Sequence, residues 1–407
     1  MNATAFVFSG KVWVRVRMRS LALLMPMIVL GLLLCGGCGG SGSPPPPPSQ
    51  VRVYSGAGYP FVADFNQDGK ADVFTAVTFG DSYGTMNLGA GDGNFQAAAR
   101  VPLSAGFYVN AVADFNADGK PDLLATNCSS LPCGINVYFG NGDGTFQTTP
   151  VSTTTTLQGG VAADLNGDGK ADLVGVVNGA LFVYLGNGDG TFTAGASYNS
   201  AIGGAMALGD FNADGKIDVV ISTPGDTPGD AFSVGQVIVF LGNGDGTFQA
   251  AKSSAGAYIT ASIVVEDFNS DGKMDLAMSG CGFTSGCLEW ALLGNGDGSL
   301  QTPQFFGPTT GPLDGASALG GADFNGDGKA DLVLQGDPSF LDTAEIYLGN
   351  GDDTFSKTNS YTLGSPPQDN SFGIAVADFN GDGKPDIAAS NVVLLGNGDG
   401  TFQGKLK

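Results

Sequence analysis

One nine-residue pattern, repeated seven times, constrains the fold of this chain more than any other feature of the sequence. The pattern is D-x-N-x-D-G-K-x-D, and its copies begin at residues 64, 114, 164, 210, 267, 323 and 378. Successive copies start 46 to 57 residues apart. Self-similarity at such a period is typical of propellers and solenoids, in which each repeat supplies one structural unit. We therefore interpret the chain as seven copies of one unit.

The spacing of oxygen-bearing side chains within this pattern, called here the acidic loop, suits a calcium ion. Ca²⁺ binds roughly six to eight oxygen atoms from carboxylates, amides and backbone carbonyls. Positions 1, 3, 5 and 9 supply Asp, Asn, Asp and Asp, and the glycine at position 6 allows a sharp turn. Position 7 would offer a backbone carbonyl, so we expect its lysine, Lys70 in the first copy, to point outward.

We predict that Ca²⁺ is the cofactor, with up to seven ions, one in each acidic loop. The predicted metal-binding residues are Asp64, Asn66, Asp68, Asp72, Asp114, Asn116, Asp118, Asp122, Asp164, Asn166, Asp168, Asp172, Asp210, Asn212, Asp214, Asp218, Asp267, Asn269, Asp271, Asp275, Asp323, Asn325, Asp327, Asp331, Asp378, Asn380, Asp382 and Asp386.

The acidic loop does not match an EF-hand, and a simple polar turn accounts for it only in part. An EF-hand needs a bidentate Glu at position 12 and a helix on each side. Position 12 here is never acidic, and the flanks Gly160–Asp164 and Asp172–Val177 are typical of strands. A polar turn would explain a single copy, because Asp, Asn and Gly dominate turns. The retention of all 21 carboxylates in seven copies favours metal binding.

Residues 1–38 are predicted to be a signal peptide and residues 39–50 a Gly/Ser/Pro linker. Four basic residues precede the apolar run Leu21–Leu34, whose 14 residues are short for a membrane span. The small residues and cysteines that follow resemble a bacterial lipoprotein signal, with Cys38 as the lipidated residue. An ordinary cleaved signal without a lipid stays open, as does a true start at Met18. The five prolines of the linker would form a semi-rigid spacer.

Each repeat carries a second motif downstream of the acidic loop, called here the glycine hairpin. It reads Gly-Asn-Gly-Asp-Gly-Thr-Phe-Gln at Gly140–Gln147. Asn-Gly and Asp-Gly supply the positive φ angles of a tight turn, and we expect the Phe to pack between repeats. A ligand role for the Asp stays open as an alternative. Copies one, five and six depart from the motif, with Asn94 for Thr, Ser299-Leu300 for Thr-Phe, and Asp353 for the last Gly.

These motifs predict four strands per repeat, separated by the acidic loop, a variable loop and the glycine hairpin. Four antiparallel strands in about 50 residues make one propeller blade. The predicted fold class is therefore all-β, a seven-bladed β-propeller over residues 51–407 with the acidic loop between strands 1 and 2 of each blade. The last copy stops short of a final strand, whereas Val51–Tyr54 precedes the first loop without a hairpin of its own. We predict that N- and C-terminal segments meet in one blade and close the ring.

The paired motifs resemble the FG-GAP/VCBS repeat family, whose propellers are similar to the head of integrin α subunits. The resemblance covers residues 51–407 and all seven copies. It implies that the acidic loops lie on the lower face, and that Asp64, Asn66, Asp68, Asp72 and their equivalents take the family's ligand positions. It says little about partners.

The net charge and the amino-acid composition argue against several classes of function. The net charge is −22, and the acidic loops hold 21 of the 39 acidic residues. So acidic a chain is not expected to bind nucleic acid. With no histidine in the sequence, catalytic triads and histidine-ligated metals are excluded. A carboxylate pair could still act on a glycan, but the acids outside the repeats share no motif, and solvated loop acids are the better interpretation. Those acids are Asp81, Asp226, Asp230, Glu289, Asp337 and Asp342.

Four cysteines lie beyond the signal region. Cys128 and Cys133 flank one variable loop, and Cys281 and Cys287 flank another. Two local disulfides are the natural interpretation in an oxidising compartment. The spacing is not typical of zinc sites.

The sequence therefore predicts a non-enzymatic binding or adhesion propeller, lipid-anchored to the bacterial cell envelope or secreted. We expect a monomer that recognises a glycan or protein through variable loops on the face opposite the acidic loops, with membrane contact only through Cys38. The longest of these loops are Phe79–Thr85, Thr223–Gln236, Cys281–Cys287 and Gly336–Thr343, with aromatic residues Phe79, Tyr83, Phe232, Phe283 and Phe340. A polysaccharide lyase or hydrolase, and a structural envelope protein, are the alternatives.

Overall fold

The chain forms seven β-sheets, as a computed structural model shows. The structure describes residues 2–8, 11–17, 52–53 and 59–403, the last range without 77–82, 128–133, 154, 156, 158–159, 200–203, 224–234, 257–259, 283–285, 307–315, 337–342 and 364–372. All regular elements in these ranges are strands. Nowhere in the described part of the chain does a helix occur that could span a lipid bilayer.

Each of blades 1 to 6 has four antiparallel strands in chain order from the first to the fourth. The strands are Tyr59–Ala63, Asp72–Ala76, Tyr83–Asn87 and Ala99–Pro102 in blade 1; Tyr108–Ala113, Asp122–Asn127, Gly134–Tyr138 and Val151–Thr153 in blade 2; and Gly160–Ala163, Asp172–Val177, Ala180–Gly186 and Phe192–Asn199 in blade 3. They are Met206–Gly209, Asp218–Thr223, Gln236–Phe240 and Lys252–Ala255 in blade 4; Thr260–Glu266, Asp275–Gly282, Gly286–Leu292 and Gln304–Phe306 in blade 5; and Ala316–Ala322, Asp331–Gly336, Thr343–Gly349 and Phe355–Thr362 in blade 6.

Blade 7 combines segments from both ends of the propeller region. Its first three strands are Ile374–Ala377, Asp386–Ala389 and Val392–Gly396. The third strand pairs with Phe402–Gln403 and also with Arg52–Val53, where Arg52 lies opposite Val393 and Val53 opposite Val392. Segments from both ends of the propeller region thus pair with one strand, and the closure of the ring by them stays a prediction.

Two further strands lie near the N-terminus, Asn2–Phe8 and Lys11–Arg17, and pair with each other. The first of them pairs with the first strand of blade 4, with Phe6 opposite Ala207, so that sheet has six strands. Residues 18–51 lie outside the described residues, including Cys38 and the linker. The predicted signal peptide and lipid anchor therefore stay predictions.

The core lies between neighbouring blades. The second strand of each blade is covered on both faces, and in Asp122–Asn127 the first five residues are buried. Because both faces of these strands are covered, their sequences are short continuous apolar runs. They do not alternate between apolar and polar residues as a strand with one exposed face does. Val73 of blade 1 packs in one cluster with Phe379 and Val393 of blade 7, so the first and last blades are in contact. The predicted all-β, seven-bladed propeller of four-stranded antiparallel blades is confirmed.

Candidate functional site

The seven acidic loops connect the first and second strands of the blades, and all adopt one backbone conformation. In the loop of blade 2, positions 4 and 6 have positive φ angles, 60° at Ala117 and 81° at Gly119. Glycine is needed at position 6 because this φ lies beyond the range of about +50° to +70° that residues with a side chain adopt in the left-handed region. Position 4 is glycine in three loops and a larger residue in the other four.

The side chains at positions 1, 3 and 5 fold back onto the loop backbone. In blade 2, Asp114 accepts hydrogen bonds from the N–H of Asp118 through Oδ1 (3.1 Å) and from the N–H of Gly119 through Oδ2 (2.8 Å). Asn116 Oδ1 also accepts from the N–H of Asp118 (2.9 Å), and Asp118 Oδ1 accepts from the N–H of Lys120 (3.0 Å). The same four bonds recur in the other six loops. These bonds hold the oxygen atoms of the loop together on one tight turn.

The aspartate at position 9 is fully buried and connects the acidic loop to the glycine hairpin of its own blade. Asp122 Oδ2 accepts from the N–H of Phe115 (2.9 Å), and its Oδ1 accepts from the N–H of Gly140 (2.8 Å). The equivalent pair of bonds is present in every blade. Position 9 is therefore a structural junction as well as a predicted ligand.

Burial raises the pKa of the position-9 carboxylates, although the two N–H groups partly compensate. The pKa rises to about 7 at Asp122, where the charges of Asp114 and Asp118 add to the effect of burial. It rises to about 7 at Asp386 and to about 6 at Asp218, for the same reasons. The carboxylates at positions 1, 5 and 9 thus repel one another, and a cation bound among them would relieve the repulsion.

The lysine at position 7 is partly exposed, with 42% of the Lys70 side chain accessible to solvent, and its amino group lies near the loop. Lys120 Nζ lies 3.2 Å from Asp118 Oδ2, and five other blades have the same ion pair. In blade 6, Lys329 Nζ instead donates to the carbonyl of Asn350 (2.9 Å). Each lysine stem also covers a glycine of the hairpin, where an added Cβ at Gly142 would come within 3.0 Å of Lys120 Cδ. The attraction between lysine and carboxylate favours this position at the surface of the loop.

The oxygen atoms of the acidic loop fit a hard divalent cation. Their positions do not define the coordination geometry of the ion. Among the described residues, no group of three or more acidic or cysteine side chains is arranged so that it could hold a metal ion. The carboxylate oxygens are turned onto backbone N–H groups. In the loop of blade 2, however, each carboxylate oxygen accepts from no more than one backbone N–H and keeps a second lone pair. The loop offers only oxygen donors, the kind that Ca²⁺ prefers. Positions 1, 3, 5 and 9 would hold the ion.

Among the described residues, backbone hydrogen bonds link six of the seven acidic loops to the glycine hairpin of a neighbouring blade. The last glycine of the blade 2 hairpin, Gly144, donates its N–H to the carbonyl of Phe65 in the loop of blade 1 (3.1 Å). The same bond joins blades 2 to 3, 3 to 4, 4 to 5 and 6 to 7, and Gly93 of blade 1 donates to Phe379 of blade 7 (3.1 Å). In blade 6 the glycine is replaced by Asp353, and the described residues contain no such bond to blade 5.

Aromatic rings reinforce these junctions. The hairpin phenylalanine of one blade packs edge-on against the phenylalanine at position 2 of the preceding loop, as in Phe146 on Phe65 (ring centroids 5.9 Å apart) and Phe402 on Phe324 (5.3 Å). The prediction that the hairpin phenylalanine packs between blades is confirmed. The hairpin aspartate, exemplified by Asp143, accepts from the N–H of Thr145 (2.9 Å), which favours its structural role.

The opposite face, where the variable loops were predicted to bind a ligand, lies mostly outside the described residues. Phe79, Phe232, Phe283 and Phe340 belong to that part of the chain, as do Cys128, Cys133 and the acids Asp81, Asp226, Asp230, Asp337 and Asp342. Tyr83 is described, and the guanidinium carbon of Arg100 lies 4.2 Å from the centre of its ring. The strand register places Cys281 opposite Cys287. The disulfides stay predictions.

Glu289, proposed as a solvated loop acid, is buried at 2% exposure in the third strand of blade 5. The solvated interpretation of this residue is therefore wrong. Across the junction with blade 6, Glu345 pairs with Lys357 (2.6 Å) and accepts from the hydroxyl of Tyr347 (3.3 Å). Burial, followed by the charges of Glu345 and Glu289, raises the pKa of Tyr347 above its usual value. Sequence reasoning missed this cluster, because its members lie on two blades and belong to no motif.

The fold and the paired motifs define a seven-bladed propeller whose blades are joined through acidic loops and glycine hairpins. The chain belongs to the FG-GAP-like repeat family, whose model matches residues 64–125, 114–175, 164–221, 210–278 and 323–389. The unmatched stretch between residues 278 and 323 covers most of blade 5, where the hairpin departs from the motif.

Two solved structures resemble this chain in fold. A lectin from Agrocybe aegerita, described as recognising non-reducing terminal N-acetylglucosamine, is 23% identical, with a TM-score of 0.57, over 82% of this chain and 89% of that one. The BP39L lectin from Burkholderia pseudomallei is 14% identical, with a TM-score of 0.58, over 86% of this chain and 99% of that one. No curated protein sequence matches the chain.

Proposed function

We propose that this chain is a calcium-stabilised extracytoplasmic propeller that binds a glycan through its variable loops. The observation that carries the calcium part is the acidic loop itself, which holds three carboxylates and an amide in one conformation in all seven blades. The glycan part is supported by the resemblance in fold to two lectins. A protein ligand at the same loops is the alternative outcome of the binding test.

Calcium should stabilise the folded chain, because the ion binds a loop that exists only in the native state. At a free concentration about a hundred times the Kd, one site adds about 2.7 kcal/mol of stability. The melting temperature should fall on chelation with EDTA and recover with added Ca²⁺. Mg²⁺ is the control, since it demands a smaller octahedral site and should restore less. An unchanged melting temperature after exhaustive chelation would contradict the structural role of the metal.

Glycan binding is tested with the full chain on a glycan array, with and without Ca²⁺. Tyr83 stands beside the first variable loop, next to Arg100, so Tyr83→Ala should weaken binding. Ser270→Ala alters an exposed residue in the acidic loop of blade 5 and is the control. Binding that survives Tyr83→Ala but is lost with Ser270→Ala would place the ligand on the other face. Binding to matrix proteins alone would favour the protein ligand.

A polysaccharide-active enzyme is the second candidate, and the cluster at the junction of blades 5 and 6 is the observation that favours it. Glu289, Glu345 and Tyr347 provide the kind of acid and base groups that glycan cleavage uses. Glu289 and Tyr347 are, however, only 2% and 3% exposed. Cleavage of any glycan that binds on the array, and its loss in Glu345→Gln, would establish the enzyme instead.

A further inference from the structure

A cavity of about 860 Å³ opens at the acidic-loop face, on one side of the ring. Its walls come from the first strands of blades 6, 7 and 1, and its rim from the acidic loops of blades 7, 1 and 2. The volume falls in the range of roughly 300–1,000 Å³ that is usual for small-molecule sites. The described residues that line it belong to the propeller. The strand Lys11–Arg17, within the predicted signal peptide, contacts the first strands of blades 1 and 7 beside the cavity, so cleavage would leave these walls in place but remove a neighbouring strand.

The walls are aliphatic and the polar groups stand at one end only. Val62, Leu319, Ile374 and Val376 line the wall with small neighbours such as Ala377. Such a wall offers an apolar chain a dry surface, and each buried CH₂ contributes about 0.8 kcal/mol. The absence of an exposed aromatic ring among the described lining residues makes the cavity itself a poor platform for a bare sugar.

The rim carries groups of both charge signs. Asp64 and Asp378 contribute carboxylates, Lys70 an ammonium group and Gln67 an amide. Gln67 donates to the carbonyl of Gly119 (3.1 Å), and Lys70 Nζ lies 3.3 Å from Asp68 Oδ2. A head group of a single charge sign would be repelled by the rim groups of that sign. Hydroxyl groups both donate and accept, so an uncharged, hydroxyl-rich head complements this rim.

We propose that this cavity binds the apolar chain of a glycolipid-like amphiphile, with the sugar head at the rim formed by Asp64, Gln67, Lys70 and Asp378. The choice of a sugar as the head group rests on the proposed glycan-binding function. The apolar part of the site rests on the cavity alone. The ligand class is therefore an alkyl glycoside, not a free oligosaccharide.

The test uses octyl β-glucoside below its micelle concentration, titrated into the full chain by calorimetry, with glucose as the headgroup control. Ala377→Phe should fill the cavity and weaken octyl glucoside binding by about tenfold, equivalent to about 1.4 kcal/mol. Ala163→Phe is the matched control, because Ala163 precedes the acidic loop of blade 3 as Ala377 precedes that of blade 7 and does not line the cavity. Its affinity should stay at the wild-type level.

Three outcomes would overturn the proposal: no binding of octyl glucoside, binding that Ala377→Phe leaves unchanged, or equal weakening by both substitutions. The result also separates this site from the variable loops. If array binding is lost in Tyr83→Ala but kept in Ala377→Phe, the proposed glycan function stands without this cavity. If octyl glucoside binds but no glycan on the array binds, the cavity proposal is supported and the variable-loop proposal fails.

Discussion

The aspartate at position 9 of each acidic loop has two tasks that sequence spacing cannot separate. Asp122 is buried and accepts one hydrogen bond from its own loop and one from the glycine hairpin 18 residues further on. Asp118, at position 5, is exposed and bonds only within the loop. Both are predicted calcium ligands, yet only Asp122 ties two parts of the blade together.

Asp122→Asn should therefore destabilise the metal-free protein, whereas Asp118→Asn should not. The amide oxygen of Asn can accept only one of the two bonds, which leaves a buried N–H without a partner at a cost of about 1–3 kcal/mol. The exposed substitution should change stability by no more than about 0.5 kcal/mol. Urea unfolding in EDTA measures both variants.

In Ca²⁺, both substitutions should reduce the stabilisation that the ion provides, because each removes a charged ligand. Equal urea midpoints for the two variants in EDTA would mean that the bonds from Asp122 are not needed for the blade.

At the scale of the structural element, the hairpin-to-loop bond is the repeated contact between blades, and blade 6 departs from it. Asp353 has a φ of 60° at the place where the other hairpins have glycine. Burial and the neighbouring charge of Asp352 raise its pKa. The junction of blades 5 and 6 is instead occupied by rings, with Phe306 4.5 Å from Phe355 and 6.2 Å from Tyr347.

Asp353→Gly should stabilise the protein by about 1 kcal/mol, because it removes a left-handed residue with a side chain and allows the N–H to reach Phe268. The converse change, Gly298→Asp in blade 5, is the matched control. It should destabilise the chain, since the N–H of Gly298 donates to Phe211 (3.2 Å) and an added Cβ would lie 2.7 Å from Leu241 Cδ2. Thermal melting and hydrogen exchange at residue 353 measure the effect. A destabilised Asp353→Gly variant would contradict this account.

The sequence predicted the elements well where the information is local. The acidic loop and the glycine hairpin each lie within nine consecutive residues, so turn chemistry and ligand spacing could be read directly. The bond from Gly144 to Phe65 joins residues 79 positions apart, and no local signal reveals it. Glu289 was misjudged because an acid in a strand looks exposed until the neighbouring blade is placed against it. The ion pairs of the position-7 lysines could not be read from the sequence, because the partner carboxylate lies two residues earlier on a turn whose shape only the structure shows.

At the scale of the whole molecule, the last sheet contains both Arg52–Val53 and the final strands of the chain. Within the described residues, the chain-terminal strand Phe402–Gln403 pairs only with Leu395 and Gly396 at this edge of blade 7. Arg52–Val53 pairs with the rest of the same edge.

Replacing both Arg52 and Val53 with proline should lower the melting temperature by a few degrees, because proline cannot donate to the sheet. Prolines at Gly42 and Ser43, in the predicted linker, are the control and should leave the melting temperature unchanged. An unchanged melting temperature with prolines at 52 and 53 would show that the pairing of Arg52–Val53 with blade 7 is not needed for stability.

The direction of the hairpin-to-loop bonds has a consequence for biosynthesis. The acidic loops of blades 1 to 4 and of blade 6 receive this bond from the blade that follows in the chain, so each of these blades is incomplete during synthesis until its successor has emerged from the ribosome. The loop of blade 7 has no successor and takes its bond from Gly93 of blade 1, the first blade to be made. Blade 1 is synthesised first, so the N–H of Gly93 lacks this hydrogen-bond partner until blade 7 has been synthesised.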